Sequence, residues 1–225
     1  MTTTTHRPVS VPASTNVRKY ATEAIGTFVL MFTVGTTVLS GSALAPFAIG
    51  AALMAMIYAG GHISGAHYNP AVTVAVLVRG RMGIAESIRY IGAQIGGGLV
   101  AAAMIHLCVT VNPAPAATPT GHAMTAAVVA EIVFTFILCF VVLNVATSKD
   151  HPNNSFYGLA IGFTVAAGAV AVGPISGAVF NPAVGIAGAS LGMLTGAVAI
   201  IFLIAQMIAG AVAGIAFRTL NPADK

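Results

Sequence analysis

The sequence predicts an all-α integral membrane protein, with six transmembrane helices plus two re-entrant half-helices arranged as an inverted 3+3 repeat. Three observations predict it. The chain has 225 residues, 57% hydrophobic and only 6% charged, at a mean hydropathy of +0.94; so few charges cannot clothe a soluble domain. Its nine Lys and Arg residues are confined to alternate connections between apolar stretches. A phrase also recurs: Ile63-Ser64-Gly65-Ala66 precedes Asn69-Pro70-Ala71-Val72, and 112 residues later Ile175-Ser176-Gly177-Ala178 precedes Asn181-Pro182-Ala183-Val184.

Residues 1–19 are rich in Thr, Ser and Pro and carry Arg7, Arg18 and Lys19. Without an Ala-x-Ala-like site behind a short apolar core, they read as an uncleaved cytoplasmic tail. Spans are expected at Ala21–Ser40, Leu44–Ala59, Gly92–Thr110, Ala126–Ala146, Phe156–Val172 and Ile200–Phe217. The longer of these suit roughly 30 Å of hydrocarbon. The membrane domain covers 20–217, in halves of about 20–110 and 124–217, and residues 218–225 form a second tail.

Charge placement orients these elements. Arg79, Arg81 and Arg89 fall between spans 2 and 3 or at the start of 3, Lys149 falls between spans 4 and 5, and Arg218 and Lys225 follow span 6. The connections around Gly41, Val111–Gly121 and Gly173–Leu191 have no Lys or Arg. The positive-inside rule then puts both termini in the cytoplasm of a cell (inner or plasma) membrane. The pI of about 9.4 thus reports topology, and no nucleic-acid site is read from it. Cys108 and Cys139 read as small buried hydrophobes, with a soft-metal thiol as the alternative.

The duplication reaches beyond the phrase. Ala48-Ile49-Gly50 recurs as Ala160-Ile161-Gly162, and Ala93-Gln94 with Gly98 recurs as Ala205-Gln206 with Gly210. Glu23, Thr27, Phe28 and Leu30 pair with Glu131, Thr135, Phe136 and Leu138 at an offset of 108. Three spans per half force the second copy to enter from the opposite face.

Asn-Pro-Ala by itself is weak evidence, since Asn112-Pro113-Ala114 and Asn221-Pro222-Ala223 also occur, without an apolar stretch behind them. Those two read as incidental turns. The copies at 69 and 181 are followed by Val72–Val78 and Val184–Leu191, about half a crossing at roughly 1.5 Å per residue. Asn suits the N-cap and Pro the first helical position. Two such half-helices would meet with their positive dipole ends at the midplane. Irregular backbone at that depth, Gly65-Ala66-His67-Tyr68 and Gly177-Ala178-Val179 up to Phe180, is tolerable only when buried or lining a water-filled cavity. Carbonyls would then form an acceptor ladder ending at the Asn donors, where a neutral hydroxylated molecule trades its hydration and a cation meets a barrier.

Glu23 and Glu131 lie inside apolar spans, where a charge costs roughly 2.5 kcal/mol or more. Each is expected to accept hydrogen bonds from the irregular loop of its own half, with a proton relay as the alternative. His62 and His67 flank the first phrase; pore-lining, structural and pH-responsive roles are all open, and a loop-supporting one is the simplest for His62. No metal-ligand cluster and no nucleophile–base set is seen, so neither a metal, a cofactor nor enzyme chemistry is expected.

Together Gly61-His62-Ile63-Ser64-Gly65, the two Asn-Pro-Ala segments, the embedded Glu residues and the Ala-Gln pairs make the chain, over about residues 18–218, resemble the aquaporin or major intrinsic protein family. The resemblance implies a homotetramer in the lipid bilayer with one pore per subunit, passing water or small neutral solutes. It also implies a four-residue selectivity filter at Ile49, Ala169, Ala178 and Val184. Water-selective members carry Phe, His, a small residue and Arg there, and glycerol facilitators keep the Arg. This chain has none of the aromatic, His or Arg side chains at those positions. Val in place of the Arg is similar to the bacterial aquaporins associated with arsenic resistance, which conduct uncharged arsenite and antimonite hydroxides. The expected solutes are therefore trivalent metalloid hydroxides and glycerol, with some water. The rivals are a water-selective pore, a non-conducting scaffold of the same fold, and a proton-coupled transporter.

Overall fold

The computed structural model describes residues 14–109 and 118–224. Arg7, Lys225 and the Asn112-Pro113-Ala114 turn lie outside the described residues. The elements are α1 (Ser14–Leu39), α2 (Ala45–Ser64), α3 (Pro70–Arg79), α4 (Ile84–Cys108), α5 (Gly121–Val142), α6 (Tyr157–Ser176), α7 (Pro182–Ser190) and α8 (Gly196–Leu220), with a π-helical segment Leu143–Thr147 prolonging α5. Six are long and apolar enough to cross a membrane; α3 and α7 are the half-length pair.

Several helices outrun the apolar stretches that announce them. α1 begins at Ser14 rather than Ala21, and α4 at Ile84 rather than Gly92. The extra turns carry Arg18, Lys19, Glu86 and Arg89, which lower hydropathy without breaking a helix. Lys19 Nζ meets Glu86 Oε1 at 2.9 Å and joins the two extensions. α2 and α6 run on to Ser64 and Ser176 through glycine-rich turns. Both stop at a left-handed glycine, Gly65 at φ 86° and Gly177 at φ 84°, the usual helix C-cap. Residue 19 lies within α1 and residue 218 within α8, so the expected tail boundaries fall inside helices.

Packing follows the repeat. α1 lies on α4 and its counterpart α5 on α8, while α2 crosses α6 at the pseudo-twofold. That crossing has no room for a side chain at either glycine: a Cβ on Gly50 would lie 2.6 Å from Gly162 O, and one on Gly162 2.5 Å from Gly50 O. Each half-helix packs against the third span of the other half, α3 on α8 and α7 on α4. Gly210 admits the Ala71 carbonyl there, and Gly98 the Ala183 carbonyl. Outward, Ile200, Ile204, Ile208, Val212 and Ile215 are exposed along α8, an apolar ridge that suits lipid. Cys139 is buried as expected, but Cys108 is exposed, because it ends α4 where the helix leaves its neighbours.

Candidate functional site: the paired half-helices and the cavity they border

Asn69 and Asn181 begin the half-helices. Both have extended backbone (φ −156° and −149°), and both use Oδ1 to accept the orphan N–H two residues on, Ala71 N at 2.8 Å and Ala183 N at 3.0 Å. Pro70 and Pro182 occupy the first helical position, where no N–H is needed. Each Nδ2 crosses to the other half: Asn69 donates to Phe180 O and Asn181 to Tyr68 O, both at 2.9 Å. An amide carries two N–H donors, so one N–H per Asn remains beyond the brace.

The loops before these caps hold strained backbone. Ala66, Tyr68, Ala178 and Phe180 have φ of 52°, 49°, 53° and 48°, a region costing an L-residue roughly 1–2 kcal/mol. Two buried carboxylates over-determine it. Glu23 Oε1 accepts from Ser64 Oγ at 2.7 Å and His67 N at 3.0 Å, and Oε2 from Tyr68 N at 2.7 Å and Gln94 Nε2 at 2.8 Å. Glu131 repeats this with Ser176 Oγ at 2.7 Å, Val179 N at 2.9 Å, Phe180 N at 2.7 Å and Gln206 Nε2 at 2.7 Å. Both Glu residues are 0% exposed. With the loop N–H groups drawn towards the carboxylates, the carbonyls of Gly65, Ala66 and His67, and of Gly177, Ala178 and Val179, accept nothing from the described residues. The Tyr68 carbonyl differs from the expected ladder, because the Asn181 amide occupies it.

A cavity of about 670 Å³ runs past these groups. Ala66, His67, Asn69, Gly177, Ala178, Val179 and Asn181 border it, together with Ile49, Ala169 and Val184. Gly65 does not border it and is exposed. The facing wall is aliphatic, with Leu30, Val34 and Val38 from α1, Leu53 and Ile57 from α2, Leu138 and Val142 from α5, and Ile161 and Val165 from α6. These wall residues escaped the motif-based reading, although their four-residue spacing marks one face of each helix.

His62 corrects the reading made of it. It is exposed and makes no hydrogen bond with the described residues, since it sits on the open face of the last turn of α2. The histidine that supports the loop is His67, 9% exposed, with Nδ1 at 3.1 Å from Thr73 Oγ1, itself bonded by Gln94 Nε2 at 2.9 Å. Asn221-Pro222-Ala223 is a turn, and it delivers the buried Asp224. Asp224 Oδ1 accepts from Arg79 Nη2 at 2.9 Å and Arg81 Nη2 at 3.1 Å, and Oδ2 from Lys149 N at 2.9 Å. The end of α3 is thereby tied to α8 and to the α5–α6 connection. Among the described residues no group of three or more His, Cys, Asp or Glu is placed to hold a metal.

The family model described as Major intrinsic protein matches residues 10–217. "Probable aquaporin NIP4-2" of Arabidopsis thaliana is 40% identical over 176 residues, 74% of this chain and 62% of that protein. The chain thus spans about three fifths of that relative's length. "Glycerol uptake facilitator protein-like 6" of Lactiplantibacillus plantarum is 40% identical over 177 residues, covering 74% of this chain and 81% of that protein. The X-ray structure of the aquaglyceroporin from Plasmodium falciparum shares the fold at a TM-score of 0.78 and 20% identity, covering 92% of this chain and 98% of that one.

Proposed function

The chain belongs to the major intrinsic protein family, whose members are passive channels and not enzymes, and from that premise we propose a pore for small uncharged hydroxylated solutes. Trivalent metalloid hydroxides and glycerol are its solutes, with some water. One observation carries the reading: Ile49, Ala169, Ala178 and Val184 border the cavity together, and none of the four has a polar or charged side chain.

An arginine would add bulk, fixed positive charge and several donors. Aliphatic side chains leave width and backbone carbonyls only. Water, small and strongly hydrated, gains little bonding in exchange for desolvation there, while glycerol keeps several hydroxyls on the carbonyl side and its carbon backbone on the aliphatic wall. Arsenous acid displays hydroxyls much as glycerol does and carries no charge near neutral pH. Cations are opposed by the converging positive ends of α3 and α7. The similarity to a protein named as a glycerol uptake facilitator supports the polyol part of this proposal. The Val184 resemblance supports the metalloid part.

We further infer a homotetramer in the cell membrane, with the Arg-bearing connections on the cytoplasmic side. Uptake of arsenous acid into proteoliposomes tests the solute assignment. Val184→Arg should cut it by roughly tenfold, the size of a lost steric and bonding match. Uptake as fast as the parent's would remove Val184 from the filter.

A further inference from the structure

The inverted repeat gives each pore position a partner on the other side of Asn69 and Asn181. Shifted by 112 residues, the ring Ile49, Ala169, Ala178 and Val184 becomes Ile161, Ile57, Ala66 and Val72. All eight side chains border the same cavity. The first ring takes Val184 from α7 and the second takes Val72 from α3. With Val184 matching Val72, Ala178 matching Ala66 and Ile49 matching Ile161, the rings are chemically the same except at one position. Ala169 of the first ring corresponds to Ile57 of the second.

That difference is visible in exposure. On the α3 side Ile57, Ile161, Ala66 and Val72 are 3%, 4%, 7% and 2% exposed although they border an open cavity. On the α7 side Ile49, Ala169 and Ala178 are all partly exposed, and only Val184, at 7%, is not. The α3 ring is therefore more closely covered by its neighbours than the α7 ring. A second asymmetry adds to the first. His67 borders the cavity beside α3, where its repeat partner beside α7 is the smaller Val179. Thr73 Oγ1 bonds that imidazole and accepts in turn from Gln94 Nε2, and the partner of Thr73 is Gly185.

We propose that the size limit of this pore is set on the α3 side of the Asn pair, with Ile57 as the specificity-determining side chain. The α7 ring, where the family resemblance puts the filter, acts as a wide vestibule. Ile57 carries three more carbons than Ala169 and borders the cavity together with Ile161, so the passage narrows where a solute has already left bulk water and is held by the carbonyls of Ala66 and His67. A three-carbon polyol or a trihydroxide passes in line, and a four-carbon polyol is retarded.

This inference rests on the pore reading, and a single experiment separates the two. Proteoliposomes holding equal amounts of the parent, Ile57→Ala, Ile57→Val or Ile49→Ala are loaded with glycerol or erythritol, and efflux is followed by light scattering. Glycerol flux through the parent tests the pore. Ile57→Ala should raise the erythritol-to-glycerol ratio by roughly tenfold, Ile57→Val by less, and Ile49→Ala by less than Ile57→Ala. If Ile49→Ala relaxes the limit as much as Ile57→Ala or more, or if neither Ile57 variant moves it, the limit does not lie on the α3 side. A parent that conducts no glycerol overturns both readings. Ile57→Val keeps most of the packing and decides the matter if the alanine variant does not assemble.

Discussion

Asn69 and Asn181 brace each other across the pseudo-twofold, each donating through Nδ2 to the carbonyl that precedes the other, Phe180 O and Tyr68 O, at 2.9 Å. Each amide thus does three things at once. Its oxygen caps a half-helix, one N–H locks the facing loop, and one N–H is left for the lumen. The two halves of the chain are held in register by the residues that, in the proposed pore, also offer donors to a solute.

Asn181→Ala removes a cap and frees the Tyr68 carbonyl together. The cap alone is worth about 1 kcal/mol, and an orphaned buried acceptor costs about 1–3 kcal/mol more. Thermal unfolding in detergent should show a loss near the sum, with glycerol flux per channel falling as well. A loss no larger than the cap alone would mean that the brace contributes nothing.

Glu131→Gln should be worse than its near-identical shape implies. Glu131 accepts four hydrogen bonds, so an amide must aim at least one N–H at another donor. A cost of at least about 1–3 kcal/mol follows, with the strained Ala178 and Phe180 backbone (φ 53° and 48°) released. Glu23→Gln should match it within error. Wild-type-like melting and flux in either variant would refute the account of how the carbonyl ladder is held.

Asp224 makes a pH prediction. Burial pushes its carboxyl up, but the Lys149 amide, Arg79 and Ser148 outweigh that and hold it from 3.8 down to about 2. A folded-state value below the unfolded one means stability that is present above the unfolded value and lost as pH falls through the folded one. Melting should therefore be insensitive to Asp224 above about pH 4 and fall between about 4 and 2, a fall that Asp224→Asn should blunt. The same variant at neutral pH leaves Arg79, 2% exposed, without its counter-charge. It should destabilise far more than Lys19→Ala, which breaks a pair 31% exposed on both sides and worth less than about 1 kcal/mol. Equal effects would show that the Asp224 contacts are surface decoration.

Much of this architecture was legible because duplication writes the same physics twice. Glu23 with Glu131 and Gln94 with Gln206 stand out as costly polar residues in apolar spans, and the repeat explains both pairs, at offsets of 108 and 112 residues. Helix ends were less legible, since hydropathy reports where lipid stops and the hydrogen-bonded turns of α1 and α4 continue past it. His62 and His67 are five residues apart, and only the direction of the backbone after Gly65 decides which one turns inward. Asp224 was hidden for another reason. A carboxylate after an apparently incidental turn acquires meaning only when folding brings Arg79 and Lys149 to it.

The most direct test of the central claim is stopped-flow light scattering on proteoliposomes. It compares shrinkage in an impermeant osmolyte with re-swelling in glycerol and in arsenous acid. Rapid re-swelling is expected in both solutes, suppressed by Val184→Arg. Fast shrinkage with no re-swelling in either solute would contradict it and identify a pore selective for water.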